Sequence, residues 1–357
     1  MNRENIIIEN VNYKAACVGE YYSIDILKIL MAILVVVRHL GQNYLAPDSA
    51  FSIGIVAGLS TVAVPTFFII SSFLLYSGEV TSAKLSKQIY RVLKLYIIWS
   101  ILYIPLVLKN WVQSDFSWKT DVLLYIRDFL FIGSYYHLWF LPALAFALWL
   151  VRKSQVSKIK FLSGLLLCVV GLAFESYWFI LSGNDSIEYI RYCYKSVFVT
   201  TRNGLFIGVP CVIIGQHLAF HKNTILNKVF KYRNFILCAV LAIGCLLVGE
   251  SFIINQIALR EVNNLLIFSI PLALVIVSVS LSLKDSTFIK ITVHLRRIST
   301  LLFCLHPYII AALNFIFPKL WITNSLIEMT CGMIIILIST VFVYACSVKF
   351  TLLKKLY

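Results

Sequence analysis

Lys28 and His39 stand eleven positions apart in one largely apolar stretch, SIDILKILMAILVVVRH, with Asp25 three residues before the lysine and Arg38 beside the histidine. On a helix turning 100° per residue, eleven steps bring the second residue back to within about 20° of the first and about 16 Å further along the axis. Lys28 and His39 therefore share a stripe with Asp25, Ala32, Val35 and Val36, while Arg38 points about 100° away from His39. Ionisable groups at membrane depth cost at least a few kcal/mol each and face a cavity or a partner. With Lys28 snorkelling into the headgroups, His39 lies near mid-membrane. The run RHLGQNYL is too polar to face lipid and is expected to line a water-accessible cavity. A neutral imidazole there can take a proton from a hydroxyl near neutral pH.

Further groups add to this stripe. His306, in LLFCLHPYII, lies about nine residues into its span from the cytoplasmic loop and so reaches a similar depth, and Pro307 removes a backbone donor beside it. His137 opens YYHLWFLPAL at the external side, Glu175 and Glu250 fall in the outer halves of their spans, and Glu328 reads as a solvated charge at an outer helix end. Such residues either tie helices together or serve the chemistry, and for His137, Glu175, Glu250 and His306 the two readings weigh equally. In KLSKQIYRVLKLY, Lys84, Lys87, Arg91 and Lys94 recur every three to four residues along one side of a helix. The loop as a whole is explained as a positive anchor. Its sharper reading is a phosphate clamp in which Arg91 and Lys94 bind the pyrophosphate of a cytosolic donor. Nine cysteines are scattered without CxxC or Cys/His ligand spacing, so no metal is expected; those in apolar runs read as small buried hydrophobes.

The elements that must position these groups follow from composition. Of 357 residues, 60% are apolar or aromatic and 13% charged, with mean hydropathy +0.88, against about 25% charge in soluble domains. An all-α integral membrane protein is expected, and disordered, coiled-coil and disulfide-stapled classes are excluded. Ten windows suit a transmembrane bundle: roughly 24–45, 57–77, 90–108, 136–151, 161–181, 203–220, 235–254, 264–283, 298–317 and 325–347. The first, lacking a small-residue cleavage site after it, is expected to stay in the mature protein. One set of loops and both tails carry 21 Lys and Arg, and the opposite loops 8, which places the tails 1–23 and 348–357 in the cytoplasm and makes 24–347 a single membrane domain. The net charge of +15 is thereby accounted for by topology and anionic lipid, and nucleic acid is not an expected partner. The longest outer loops, 109–135 and 182–202, are rich in aromatic residues, which suit an interfacial belt or a stacking platform for sugars.

These blocks resemble the acyltransferase-3 family of bacterial integral-membrane proteins over nearly the whole chain. The Lys28 to His39 spacing is similar to the family's opening motif of a basic residue, ten others and a histidine. VPTFFIISSFLLYSG is similar to its FF-x-x-SGFL segment, and Arg91-Val92-Leu93-Lys94 to its RxxR. HLWFLPAL, TTRNGLFIGVP and LLFCLHPYII resemble later blocks. Two departures stand out. Ser72 replaces the family's usual glycine, and Lys94 replaces the second arginine, which keeps charge but loses bidentate geometry. The likeness is greatest to a Gram-positive branch that holds surface-polymer O-acetyltransferases and the membrane half of membrane-bound serine racemases.

The resemblance implies transfer of an acetyl group from cytosolic acetyl-CoA, as co-substrate, to a hydroxyl of a cell-surface glycan or similar acceptor in the bacterial cytoplasmic membrane. His39 is then the general base or a covalent acyl carrier, with His306 or Glu175 as orienting or proton-relay groups, and Lys28, Arg91 and Lys94 as the donor-side cations. The rival from another class is a transporter in which the same stripe passes a small amino acid such as serine, or a glycan, and no bond is broken. A phosphate clamp separates the two, because a permease has no use for one.

Overall fold

The computed structural model describes residues 21–113, 117–152, 157–257, 265–283, 289–316 and 326–357, with the side chains of 289–293 and 351 left out. Nearly all of the expected N-terminal tail lies outside the described residues. Every regular element among those described is helical. In chain order they are α1 (Tyr22–Tyr44), α2 (Ser52–Tyr76), α3 (Ser82–Gln113), α4 (Trp118–Arg127), α5 (Phe140–Val151), α6 (Lys158–Phe174), α7 (Asp185–Phe198), α8 (Gly204–Phe220), α9 (Lys222–Lys231), α10 (Arg233–Ile257), α11 (Ser269–Ser282), α12 (Ile289–Ile316) and α13 (Leu326–Lys349).

Each of the ten apolar windows falls on one of these helices, but the helices are unequal. Five are long and apolar enough to cross a membrane: α2, α3, α10, the His294–Ile316 part of α12, and α13. A sixth candidate is α8 with α9, which bend by 84°. The others fall short for identifiable reasons. The 23 residues of α1 carry Asp25, Lys28 and Arg38, and α5, α6 and α11 have only 12, 17 and 14 residues. Their windows were lengthened by residues that do not continue the α-helix, such as 136–139 before α5 and 175–177 after α6. The described chain is thus a multi-pass helical bundle in which the shorter and the charged helices occur beside full-length apolar ones.

Burial follows the expected stripe on α1. Leu27, Met31 and Val35 join one apolar cluster, and Ala32, Val36 and Leu40 join a second. With packed side chains on both flanks, α1 is a central helix that α2, α11, α12 and α13 surround. Outward faces remain apolar: Leu241 on α10 and Ile338 on α13 are exposed, as lipid-facing side chains are. Three cysteines follow that outward face. Cys238, Cys245 and Cys331 are exposed and not buried as expected, whereas Cys211 and Cys304 are buried. Where α2 and α8 cross, Gly215 has no side chain to keep the backbone of Ile69 away. The Ser72 hydroxyl donates to the Val212 carbonyl at 2.6 Å. The serine that departs from the resembled motif therefore stitches this crossing by a hydrogen bond to the facing helix.

Candidate active site

The packing of α1 on α12 brings the two expected histidines together. The His39 and His306 rings stack at 5.3 Å between centroids with planes 19° apart. His306 is fully buried, and its Nδ1 donates to the Leu302 carbonyl one turn earlier at 3.0 Å. A carbonyl only accepts, so this bond fixes the proton on Nδ1 and leaves a lone pair on Nε2. That Nε2 has no hydrogen-bond partner.

His137 completes the cluster, and this differs from the expected external position. Its ring lies 5.3 Å from His306 and 5.1 Å from Tyr103. The cause is a reversal of the chain before α5. Gly133 has φ +111°, and a Cβ there would stand 2.6 Å from the Trp139 backbone nitrogen, so only glycine lets residues 134–137 fold back under α5. His137 is buried, and neither of its ring nitrogens meets a hydrogen-bond partner. Tyr103 holds the wall beside it by donating to the Cys304 carbonyl at 2.8 Å.

Two arginines adjoin the histidines. Arg38 donates to the Val56 carbonyl at 3.2 Å and to the Ser60 hydroxyl at 3.1 Å. The Val56 carbonyl also accepts from the Ser60 hydroxyl at 2.5 Å, and it lies where Ser52–Gly58 is wound as a π-helix followed by the 3-10 turn Leu59–Val62, at the start of α2. Arg202 places its guanidinium 5.0 Å above the Trp139 ring, and its Nε has no partner. It stands just before α8, whose first amides Leu205 and Phe206 are capped by the Asn203 side chain at 2.9 and 3.2 Å.

Arg38, His39 and Arg202 line two chambers at once. The smaller, about 50 Å³, is closed by Ser60, His137, Trp139 and Phe303 and has room for a few waters. The larger, about 510 Å³, is lined by Gln42, Asn43, Lys109, Asn110, Tyr135, Tyr136 and Asn314. Arg38 was expected to point away from His39. It does leave the stripe, but the chambers wrap far enough around α1 to take in both residues. The outer aromatic residues divide accordingly. Tyr135 and Tyr136 face the larger chamber, while Trp118, Tyr189 and Tyr192 are exposed like a belt. Phe116 lies outside the described residues.

The remaining expected residues lie elsewhere. Glu175 lines neither chamber. It accepts from the Thr200 hydroxyl at 2.9 Å and the Thr201 amide at 3.1 Å, and pairs with Lys195 at 3.6 Å. It thereby fixes the loop that carries Arg202 and acts on that guanidinium through space. Tyr194, on α7 beside this loop, donates nothing to Glu175; burial pushes its phenol up to about 12. Glu250 caps α11, accepting from the Tyr177 hydroxyl and from the Ile267 and Phe268 amides at 2.5 and 3.1 Å. Asp25 is buried and receives a two-bond contact from Arg296 at 2.9 and 2.7 Å, with Lys28 at 3.6 Å. Lys28 is in electrostatic range of Arg296 and Arg91. Arg91 and Lys94 are exposed on α3, whereas Lys84 is engaged with the carbonyls of Leu75 and Glu79 at 3.0 and 3.2 Å. Arg202 had not been singled out, whereas Tyr136 was one of the outer-loop aromatic residues that suit a belt or a stacking platform. The signal for Arg202 was its place before an Asn cap, hidden because it was counted with the outer-loop charges.

A sequence model described as an acyltransferase domain matches residues 21–345. Among curated relatives, a protein named amino-acid racemase from Enterococcus faecalis is 28% identical over 261 residues, 70% of this chain and 34% of its own length. A protein named serine/alanine racemase from Enterococcus gallinarum is 27% identical over 316 residues, 85% of this chain and 43% of its own. The chain thus spans between a third and under half the length of these two relatives. No solved structure matches.

Proposed function

This chain belongs to the acyltransferase-3 family of membrane proteins, and from that premise we propose that it moves an acetyl group from cytosolic acetyl-CoA to a hydroxyl of a cell-surface glycan or similar acceptor. The observation that carries this reading is the meeting of His39, His137 and His306 at the chamber junction, with the Nε2 lone pair of His306 unpartnered. An acceptor hydroxyl entering the larger chamber gives its proton to an imidazole while its oxygen attacks the thioester carbonyl. The carbon–sulfur bond then breaks, and the CoA thiolate takes up the proton from the imidazolium. His39, which reaches both chambers, is the base or the covalent acyl carrier in this scheme. His306 orients it by stacking, and Glu175 contributes through the loop that bears Arg202. Lys28, about 16 Å from His39 along α1, and Arg91 and Lys94 on α3 supply the donor-side cations.

In this scheme the chain makes ten crossings of the cytoplasmic membrane, with 24–347 as its membrane domain and the tails 1–23 and 348–357 in the cytoplasm. The basic asymmetry of 21 to 8 supports that orientation. In a cysteine-free background, single cysteines in 109–113 and 182–202 should react with an impermeant thiol reagent on intact cells, and those in 78–89 should not. The reverse pattern would end the cytosolic-donor scheme. The chemical test is incubation of purified protein with radiolabelled acetyl-CoA, reading CoA release and label on His39 or on acceptor. A second reading, passage of a small amino acid such as serine, draws on the printed names of the relatives. Serine uptake lost in a His39→Gln strain, with no CoA turnover in the parent, would establish it.

A further inference from the structure

The larger chamber has a charge pattern that the transfer chemistry does not need. Arg38, Arg202 and Lys109 all line it, together with His39. The two guanidinium groups are within electrostatic range of each other. No Asp or Glu is among its described lining residues. Glu175, the carboxylate that acts on Arg202 through space, is already engaged by Thr200, Thr201 and Lys195. Arg202 is held over Trp139 with its Nε unpartnered, and the Lys109 ammonium rests 4.8 Å above the Phe315 ring. Partly desolvated cations that repel each other are unfavourable unless an anion joins them. Guanidinium groups bind phosphate and carboxylate through paired, charge-assisted hydrogen bonds. The remaining lining, Gln42, Asn110 and Asn314, is neutral and able to bond hydroxyls.

We propose that the acceptor is an anionic hydroxyl compound, a sugar or polyol bearing phosphate or carboxylate, whose anion docks among Arg38, Arg202 and Lys109 and turns a hydroxyl toward His39. This rests on the acyl-transfer reading for its chemistry, but not for its binding. The chamber's volume of about 510 Å³ suits a monosaccharide with its charged substituent.

The test is calorimetric titration of the purified full chain in lipid nanodiscs with glucose 1-phosphate, glucuronate and glucose. The charged sugars should bind at least tenfold more tightly than glucose. That preference should shrink several-fold in Lys109→Gln, which removes a lining charge, and in Arg202→Lys, which keeps the charge and loses the paired geometry. Preference for the phosphate or the carboxylate probe identifies the source of the anion. Equal affinity for glucose, or no binding of either charged probe, overturns the proposal. Acetyl-CoA is then added. Binding of a charged sugar with no acetylation removes the acyl-transfer reading and leaves the anion site. Acetylation of glucose as fast as of the charged sugars removes the anion site and leaves acyl transfer.

Discussion

Two sets of buried polar groups occur in this bundle, and they are treated in opposite ways. Three buried carboxylates are each engaged by several partners. Asp25 meets Arg296 and Lys28, Glu175 meets two threonines and a lysine, and Glu250 meets a tyrosine and two helix-start amides. The histidine cluster is not so engaged: His137 leaves both ring nitrogens and His306 leaves Nε2 without partners. Burying a polar atom unpaired costs about 1–3 kcal/mol. Three acids engaged in this way stand against three imidazole nitrogens without partners, and in the proposed scheme the acids are the scaffold while the histidines with Arg202 form the site.

The largest expected effect separates the two sets outright. His39→Gln should lower acetyl transfer by about 10²- to 10⁴-fold, the range typical of losing a general base, and His306→Gln, which removes an orienting group, should lower it less. Thermal stability and acetyl-CoA affinity should stay near wild type, because neither ring nitrogen lost is one that holds helices together. Single-turnover assays with labelled acetyl-CoA, alongside a melting curve, measure both. Acetylation at the normal rate in His39→Gln would remove the histidine from the chemistry and break the contrast.

Glu250→Ala should give the mirror image. It strands the Ile267 and Phe268 amides and the Tyr177 hydroxyl, each at about 1–3 kcal/mol if left dry. The midpoint of thermal unfolding should fall clearly, while turnover per folded molecule stays near wild type. Glu250→Gln, which still accepts, should recover part of the loss. A variant that is stable but inactive would instead move Glu250 into the site.

How far this division could be read in advance depends on whether a residue's neighbours are set by helical period or by tertiary folding. Helical period gave the Lys28 to His39 stripe and matched the depths of His39 and His306. It also put Arg91 and Lys94 on the face of one long helix. His137 was misplaced because its position is set by a loop reversal at Gly133, which has no periodicity to read. The partner of Asp25 was out of reach for a similar reason: Arg296 is 271 residues away and was counted as a cytoplasmic-loop charge. Arg202 was hidden because the larger chamber it lines is assembled from α1, α3 and α12 together with the loop residues Tyr135 and Tyr136. Five of the ten windows coincide with helices long and apolar enough to span by themselves, and elsewhere residues outside the helices extended short ones into windows of spanning length.

A smaller effect tests whether Asp25 belongs wholly to the scaffold. Its pair with Arg296 is buried at one end only, since the arginine side chain is 41% exposed. Asp25→Asn should therefore destabilise by about 1–3 kcal/mol, below the 3–5 kcal/mol of a fully buried broken pair. A double-mutant cycle with Arg296→Gln should show coupling of about 1 kcal/mol or more. Activity should fall only through Lys28, which loses the carboxylate that steadies it. If the cycle shows no coupling while transfer is lost, Asp25 acts in the chemistry and the acids are not uniform.

The smallest effect concerns the one exposed group of candidates, Arg91 and Lys94. They are the cations nearest in sequence to a phosphate clamp, yet both are open to solvent, where ion contacts are worth about 0–1 kcal/mol each. Arg91→Ala or Lys94→Ala should accordingly raise the KM for acetyl-CoA by about two- to fivefold, the equivalent of that energy, with kcat and melting unchanged. The increase should shrink as salt is raised toward 1 M, where the screening length falls to about 3 Å. Arg91 lies in electrostatic range of Lys28, so the Arg91→Ala effect should exceed that of Lys94→Ala. Arg91→Lys, which keeps the charge and loses the paired geometry, should fall between wild type and alanine. A salt-insensitive KM, equal in all three variants to wild type, would make these residues positive anchors of the bundle alone and return the donor side to Lys28 and Arg296.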